Sequence, residues 1–247
     1  MLLRIEDHDR QRSRAAFADA ILEDLAWLGF RADDGPIDQS GAETVDAYQA
    51  ALERLGDDGL VYRCDCTRAT FATWARDRGR AWTGAGCPGA CRRRAIPGDA
   101  VTSLRAALGD GTERFVDLLA GELDGVVAGT GDLVVRDRAG NWTYGFAVVV
   151  DDRRQGVDLV IRGEDLLPDT PRQIRLARLL GRPAPPRFLH HPLIRRAGGA
   201  KLSKSDGDTG VHDLRAAGRS PADVRAEAAR RGLVPPEVVA AAGRFAT

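Results

Sequence analysis

The stretch from Asn141 to His191 constrains the fold most, because strand-like and helix-like patterns alternate there with polar clusters at the joints. Phe146-Ala147-Val148-Val149-Val150 is a continuous apolar run rich in β-branched residues, as in a strand buried on both faces of a parallel sheet, and Asp151-Asp152 ends it. Asp158 to Arg162 reads as a further strand. Arg162-Gly163-Glu164-Asp165 then sets polar groups at its carboxyl end, where open α/β sheets hold their ligands. Thr170-Pro171 opens a helix, with Thr170 as cap and Pro171 at the first position. Ile174, Leu176, Ala177, Leu179 and Leu180 form its buried side, and Gly181 stops it. After the stiff Pro183-Ala184-Pro185-Pro186 segment, Phe188 to Ile194 reads as a last strand.

Upstream, Leu2-Leu3-Arg4-Ile5 reads as a strand, and Phe17, Ile21, Leu25 and Leu28 recur at helical spacing between Arg14 and Gly29, with Gly29 as the stop. A second helix covers Glu43 to Gly56, with Val45, Tyr48, Leu52 and Leu55 facing a core. The tail from Val211 to Thr247 holds two short helices, Pro221 to Arg231 and Pro235 to Phe245. Apolar residues make up 43% of the 247 but never gather into the run of about 18 that a membrane span requires. Charged residues interrupt the first ten positions, so no signal peptide opens the chain. A soluble, cytoplasmic protein is expected. Formal net charge is zero, so any RNA contact must come from local patches such as Arg92-Arg93-Arg94, Arg153-Arg154 or Arg195-Arg196.

Two features carry chemistry. The chain has 34 arginines but only two lysines, Lys201 and Lys204, and both lie in Lys201-Leu202-Ser203-Lys204-Ser205. Gly198, Gly199, Gly207 and Gly210 surround this segment as in a loop that closes over a substrate. Lysine offers a compact point charge on a flexible stem, suited to following a polyphosphate through a reaction. Cysteines occur only as Cys64-x-Cys66 and Cys87-x-x-x-Cys91. Two close pairs at this separation fit a four-thiolate zinc knuckle, structural because no coordination position is left open. Four free thiols and two disulfides are the alternatives, the latter fitting a reducing cytosol poorly.

RIEDHDRQRSR, WLGF, Val61-Tyr62-Arg63-Cys64, TYGFAVVVDD, VIRGEDLLPDTPRQI, HHPLI and KLSKS occur here in the order in which they occur in glutamyl-tRNA synthetases. The chain to about residue 215 resembles the catalytic region of that family. Only about forty residues follow the lysine loop, too few for an anticodon-binding domain, so the closest likeness is to the shortened branch, the glutamyl-queuosine tRNA(Asp) synthetases. That resemblance implies a class I synthetase α/β fold. Its Rossmann-like parallel sheet would be formed by residues 1–62 and 141–215, with an insertion at 63–140 carrying the zinc knuckle and a short helical tail at 216–247. It implies activation of L-glutamate by ATP, with Mg2+, and transfer to the queuosine base of tRNA(Asp), by a monomer. A glutamyl-tRNA synthetase fragment charging tRNA(Glu), a tRNA-binding module without catalysis and a related nucleotidyltransferase are the competing readings.

By the same resemblance Lys204 contacts ATP, with Lys201 and Ser203 supporting the loop. Glu6 faces the substrate ammonium, Tyr144 hydrogen-bonds the amino acid and Arg162 pairs with a carboxylate. Cys64, Cys66, Cys87 and Cys91 bind zinc; family members often carry tyrosine where Cys87 stands, and four thiols make the site more conventional. One departure stands out. The family carries an H-x-G-H motif after its first strand, and none of His8, His190, His191 or His212 sits in such a pattern. The expectation is therefore an N-terminally truncated form of impaired activity.

Overall fold

The computed structural model describes residues 1–8, 13–67, 69–71, 73, 86–87, 89–127, 131–194 and 210–230. The chain runs β1 (Leu2–Ile5), α1 (Ala15–Trp27), β2 (Asp34–Asp38), α2 (Ala42–Asp57), β3 (Val61–Cys64), β4 (Ser103–Ala106), β5 (Thr112–Asp117), β6 (Gly121–Val126) and β7 (Leu133–Arg136). It continues through α3 (Tyr144–Arg154), β8 (Leu159–Gly163), a 3-10 turn (Glu164–Asp169), α4 (Thr170–Leu179), β9 (Arg187–His191), α5 (Val211–Ala216) and α6 (Pro221–Arg230). The fold is α/β, with parallel pairing in two places. β1 pairs with β2 across the α1 crossover, and β8 pairs with β9 along its whole length. β5 joins β9 in parallel through Asp117 opposite Phe188 and forms a hairpin with β6, giving the order β6-β5-β9-β8. β3, β4 and β7 form a separate antiparallel sheet.

The apolar run Phe146–Val150 is a helix, not the strand its composition suggests. Every residue from Phe146 to Asp152 is buried, because α3 is packed on α2, α4 and β7 at once. A helix enclosed on all sides needs no polar face, so its 3.6-residue period disappears into a continuous apolar stretch. Thr143, extended at the N-cap, donates its hydroxyl to the Val134 carbonyl and fixes where α3 starts against β7. Arg153 and Arg154 close the last turn, where cations suit the helix dipole. The core around α3 is aromatic: Trp142 stacks on Phe146 at 5.3 Å between centroids, and Tyr48 meets Trp142 edge-on at 5.5 Å.

The two aspartates that were to end a strand therefore point into the protein from α3. Asp151 accepts the Tyr48 hydroxyl at 2.6 Å and the Gln39 amide at 2.8 Å. Asp152 takes an ion pair from Arg4 at 2.7 Å, which ties β1 to the same helix.

Smaller differences have local causes. Asp169, not Thr170, occupies the N-cap of α4, since the preceding 3-10 turn has already brought the chain to helical geometry. β9 stops at His191 because Pro192 has no N–H for the ladder. Gly29 and Gly181 follow α1 and α4 with φ of 84° and 90°, the left-handed conformation expected of helix stops. α1 forms as its spacing predicts, yet among the described residues its apolar side is uncovered: Phe17 is 57% and Ile21 43% exposed. The helix predicted from Pro235 to Phe245 lies outside the described residues.

Candidate active site and metal centre

β1 and β8 both line one cleft of about 780 Å³ along most of their length, roughly the size of a small-molecule site. Glu6 follows β1 directly, Tyr144 is the first residue of α3, and Arg162 lies near the carboxyl end of β8. All three line this cleft, together with Arg4, Asp152 and Gln155. The residues singled out for amino acid recognition are thus brought together from three distant parts of the sequence. Lys201, Ser203 and Lys204, singled out for ATP, lie outside the described residues, as do Arg195 and Arg196.

Arg162 is the most constrained of the three, being only 7% exposed. Its Nε donates to His190 Nε2 at 3.0 Å, Nη1 to Gln173 Oε1 at 2.5 Å and Nη2 to Thr170 Oγ1 at 2.6 Å. Phe188 lies beneath the guanidinium, 5.2 Å from ring centroid to Cζ. Among the described residues, the hydrogen-bond partners of this cation are neutral groups. Burial, the largest influence, lowers its pKa from 12.5, but a guanidinium remains charged in proteins. A buried cation whose direct partners are neutral, with Asp152 and Asp169 acting on it through their charge, favours an incoming carboxylate that pairs with it directly. Tyr144 adjoins it. Burial and then the Glu6 carboxylate push the Tyr144 hydroxyl above its ordinary pKa, so it stays a hydrogen-bond donor at neutral pH.

Behind Arg162 lies a relay that sequence reasoning missed. His190 Nδ1 meets Asp117 Oδ2 at 2.7 Å, and Asp117 also accepts the N–H groups of His190, Leu119 and Ala120. Burial would raise Asp117, but these donors outweigh it and hold the carboxyl below 3.8. Burial dominates for His190 and lowers it from 6.5 against the pull of Asp117, with Arg162 and His191 acting in the same direction as burial. The unfolded chain therefore takes up a proton at His190 near pH 6.5, while the folded chain does so only at lower pH. The stability this histidine contributes is present above pH 6.5 and is lost as pH falls from there through the folded value. The urea midpoint is expected to drop between pH 7.5 and pH 5.5, less steeply in His190→Gln, with about these pH values bracketing the ordinary imidazole range. An equal drop in both proteins would assign the loss to other groups.

The second centre is the cysteine cluster. The sulfurs of Cys64, Cys66, Cys87 and Cys91 all lie within 4.8 Å of one another, with Cys66 3.2 Å from Cys91 and 3.9 Å from Cys87. Sulfurs at the corners of a tetrahedron around zinc stand about 3.8 Å apart, given bonds of about 2.3 Å. The cluster therefore could hold a zinc ion. All four cysteines are free of disulfides. A hydrogen bond from Cys64 pulls the Cys87 thiol down, helped by backbone donors at Cys91 and Gly89, and the same bond pushes Cys64 up. Arg105 reaches Cys64, and Arg94 reaches Cys91 at 3.7 Å, cations suited to the surplus negative charge of four thiolates on a divalent ion.

Asp132, unnoticed in the sequence, fastens this knuckle to the fold. The buried carboxylate accepts the Tyr62 hydroxyl at 2.6 Å, two bonds from Arg92 at 2.9 and 2.6 Å, and the Leu108 N–H at 3.2 Å. Its own N–H bonds the Cys87 carbonyl at 2.9 Å. Gly131 makes the approach possible, since a Cβ there would sit 2.6 Å from the Gly86 carbonyl oxygen. Arg92 is thus engaged in the fold, as is Arg94 through its fork on Asp65 at 2.7 and 2.9 Å, although all three arginines of that patch are exposed.

Residues 1–242 match the family model of tRNA synthetases class I (E and Q), catalytic domain. The glutamyl-Q tRNA(Asp) synthetase of Symbiobacterium thermophilum is 44% identical over 238 residues, covering 90% of this chain and 73% of that protein. The glutamate–tRNA ligase of Syntrophotalea carbinolica is 37% identical over 225 residues, covering 89% of this chain but 47% of that protein. Among solved structures, the glutamate–tRNA synthetase of Elizabethkingia anophelis superposes with a TM-score of 0.67 at 28% identity. That match covers 84% of this chain, which spans about half of the solved one, 46%. With both the sheet-edge cleft and nearly the whole sequence in agreement, the chain belongs to the class I tRNA synthetases of the E and Q group.

Proposed function

We propose that this chain activates L-glutamate with ATP and passes the glutamyl group to the queuosine base of tRNA(Asp). The observation that carries the first half is the convergence of Glu6, Tyr144 and Arg162 on one cleft, with Arg162 buried and hydrogen-bonded to neutral side chains. Glu6 faces the substrate ammonium, and the α-carboxylate lies beside that ammonium. The side-chain carboxylate is then left for Arg162, which suits a bidentate grip. This arrangement neutralises the carboxylate that does not react and leaves the α-carboxylate free as nucleophile. An oxygen of the α-carboxylate attacks the α-phosphorus of ATP, the bond to pyrophosphate breaks, and a glutamyl-adenylate forms. Most of the acceleration comes from positioning and charge stabilisation. In this reading Lys204 meets the phosphates, with Lys201 and Ser203 supporting its loop and Mg2+ accompanying ATP. Zinc on Cys64, Cys66, Cys87 and Cys91 stabilises the knuckle.

The choice of acceptor is supported by likeness, since the chain is 44% identical to a glutamyl-Q tRNA(Asp) synthetase and 37% identical to a glutamate–tRNA ligase. Glutamate-dependent exchange of pyrophosphate into ATP tests the activation step. Transfer of labelled glutamate to tRNA(Asp) carrying queuosine, with tRNA(Glu) and queuosine-free tRNA(Asp) as comparisons, tests the acceptor. Labelling of the queuosine-bearing tRNA alone is expected, and labelling of tRNA(Glu) would reassign the chain to the other branch.

A further inference from the structure

We propose that His190 is a positioning residue for glutamate: its Nε2, kept free of a proton by Asp117, accepts the Arg162 Nε–H and sets the plane of the guanidinium. The inference rests on the reading of Arg162 as the substrate carboxylate's partner. The hydrogen-bond chemistry fixes the tautomer without ambiguity. Arginine can only donate, so His190 Nε2 at 3.0 Å from Arg162 Nε must accept. Asp117 takes the other ring proton, at 2.7 Å, and Thr170 Oγ1 stands 3.1 Å from the same Nε2. Asp117 is itself held by three backbone N–H groups, so the relay is anchored in the β5–β9 pairing rather than in a loose side chain. With Nε, Nη1 and Nη2 each tied to a different partner, the guanidinium cannot swing about its own stem. Nε has no other N–H, so Tyr144, which also bonds Arg162, shares the terminal nitrogens, the pair a carboxylate can bridge with the Tyr144 hydroxyl beside it.

Two substitutions separate positioning from mere structure. His190→Gln offers an acceptor where Nε2 stood, whereas His190→Asn keeps a donor where Nδ1 stood and offers Arg162 nothing. In glutamate-dependent pyrophosphate exchange, His190→Asn is expected to raise KM for glutamate about tenfold or more, and His190→Gln about threefold or less, with KM for ATP unmoved. The reverse order would show that the Asp117 contact alone matters and would overturn the positioning role. Arg162→Leu run beside them separates the two readings. If it raises KM for glutamate while both His190 variants do not, the relay is wrong and the site stands; if it leaves KM unchanged, the site reading fails and the inference with it. Nitrogen NMR of the unmutated protein gives a check that needs no variant to fold: the Nδ1–H tautomer is expected, and the Nε2–H tautomer would overturn the proposal.

Discussion

Arg162→Leu is expected to lower kcat/KM for glutamate by about 100- to 1,000-fold, corresponding to about 3–4 kcal/mol. The size of the effect follows from where the cation sits. Arg162 has already been taken out of water by Phe188, α4 and β9, and it is held by neutral side chains. Much of the desolvation cost is therefore met by the folded protein before substrate arrives, and the incoming carboxylate gains nearly the full attraction. Leucine fills similar space without charge and leaves a carboxylate in the cleft opposite an apolar wall. KM for ATP should change by no more than about threefold, because the lost contact is to the amino acid. Arg162→Lys should recover only part of the loss, since an ammonium cannot form the two parallel bonds of a guanidinium fork. Steady-state exchange kinetics over a range of glutamate concentrations measures all of this. A loss below about tenfold would remove Arg162 from the substrate-binding role.

The second large effect concerns the knuckle. Protein purified under reducing conditions is expected to carry about one zinc per chain, and Cys87→Ala to carry little or none, because three thiolates lose the closed tetrahedron of a structural site. Structural zinc contributes on the order of 10–16 kcal/mol of apparent binding free energy in small domains, and that energy is folding energy. Here the loss should stay local. The knuckle meets the rest of the chain through Asp132, Arg92 and Tyr62, through Arg138 on the Asp65 and Cys66 carbonyls and through the β3–β4 pairing at Cys64, while the aromatic core on α3 is built without it. Hydrogen exchange should therefore rise sharply at residues 61–66 and 86–94 in Cys87→Ala and change little along α3 and α4. Metal analysis and exchange mass spectrometry read the two parts independently. Full zinc retention in Cys87→Ala, or none in the unmutated protein, would contradict the assignment.

Sequence reasoning reached the α/β fold class and the family, though not every element. Glu6, Tyr144 and Arg162 were singled out because each belongs to a motif, and the folded chain lines one cleft with all three. The four cysteines were legible from spacing, since close pairs need only short turns to bring sulfurs together. α3 was not legible as a helix. Burial on every side erased the polar stripe that marks a surface helix, and β-branched residues then outweighed everything else in the reading. Asp132 and the Asp117–His190 relay left almost no trace. Each works through partners 24 to 73 positions away, and a buried aspartate in a charged sequence looks like any other until its neighbours are known. HHPLI did mark His190, but the motif alone carried no role for the ring. A histidine two residues before a strand-ending proline, with its arginine 28 positions upstream, is the kind of signal that only a register can turn into a contact, here Arg162 opposite His190 on adjacent strands.

The most direct measurement of the central claim is a structure of this chain with L-glutamate bound. One carboxylate of the amino acid is expected within about 3 Å of both terminal nitrogens of Arg162, with the ammonium turned to Glu6 and the Tyr144 hydroxyl alongside. Glutamate bound away from Arg162, or lying in the cleft with its carboxylates directed elsewhere, would contradict the account.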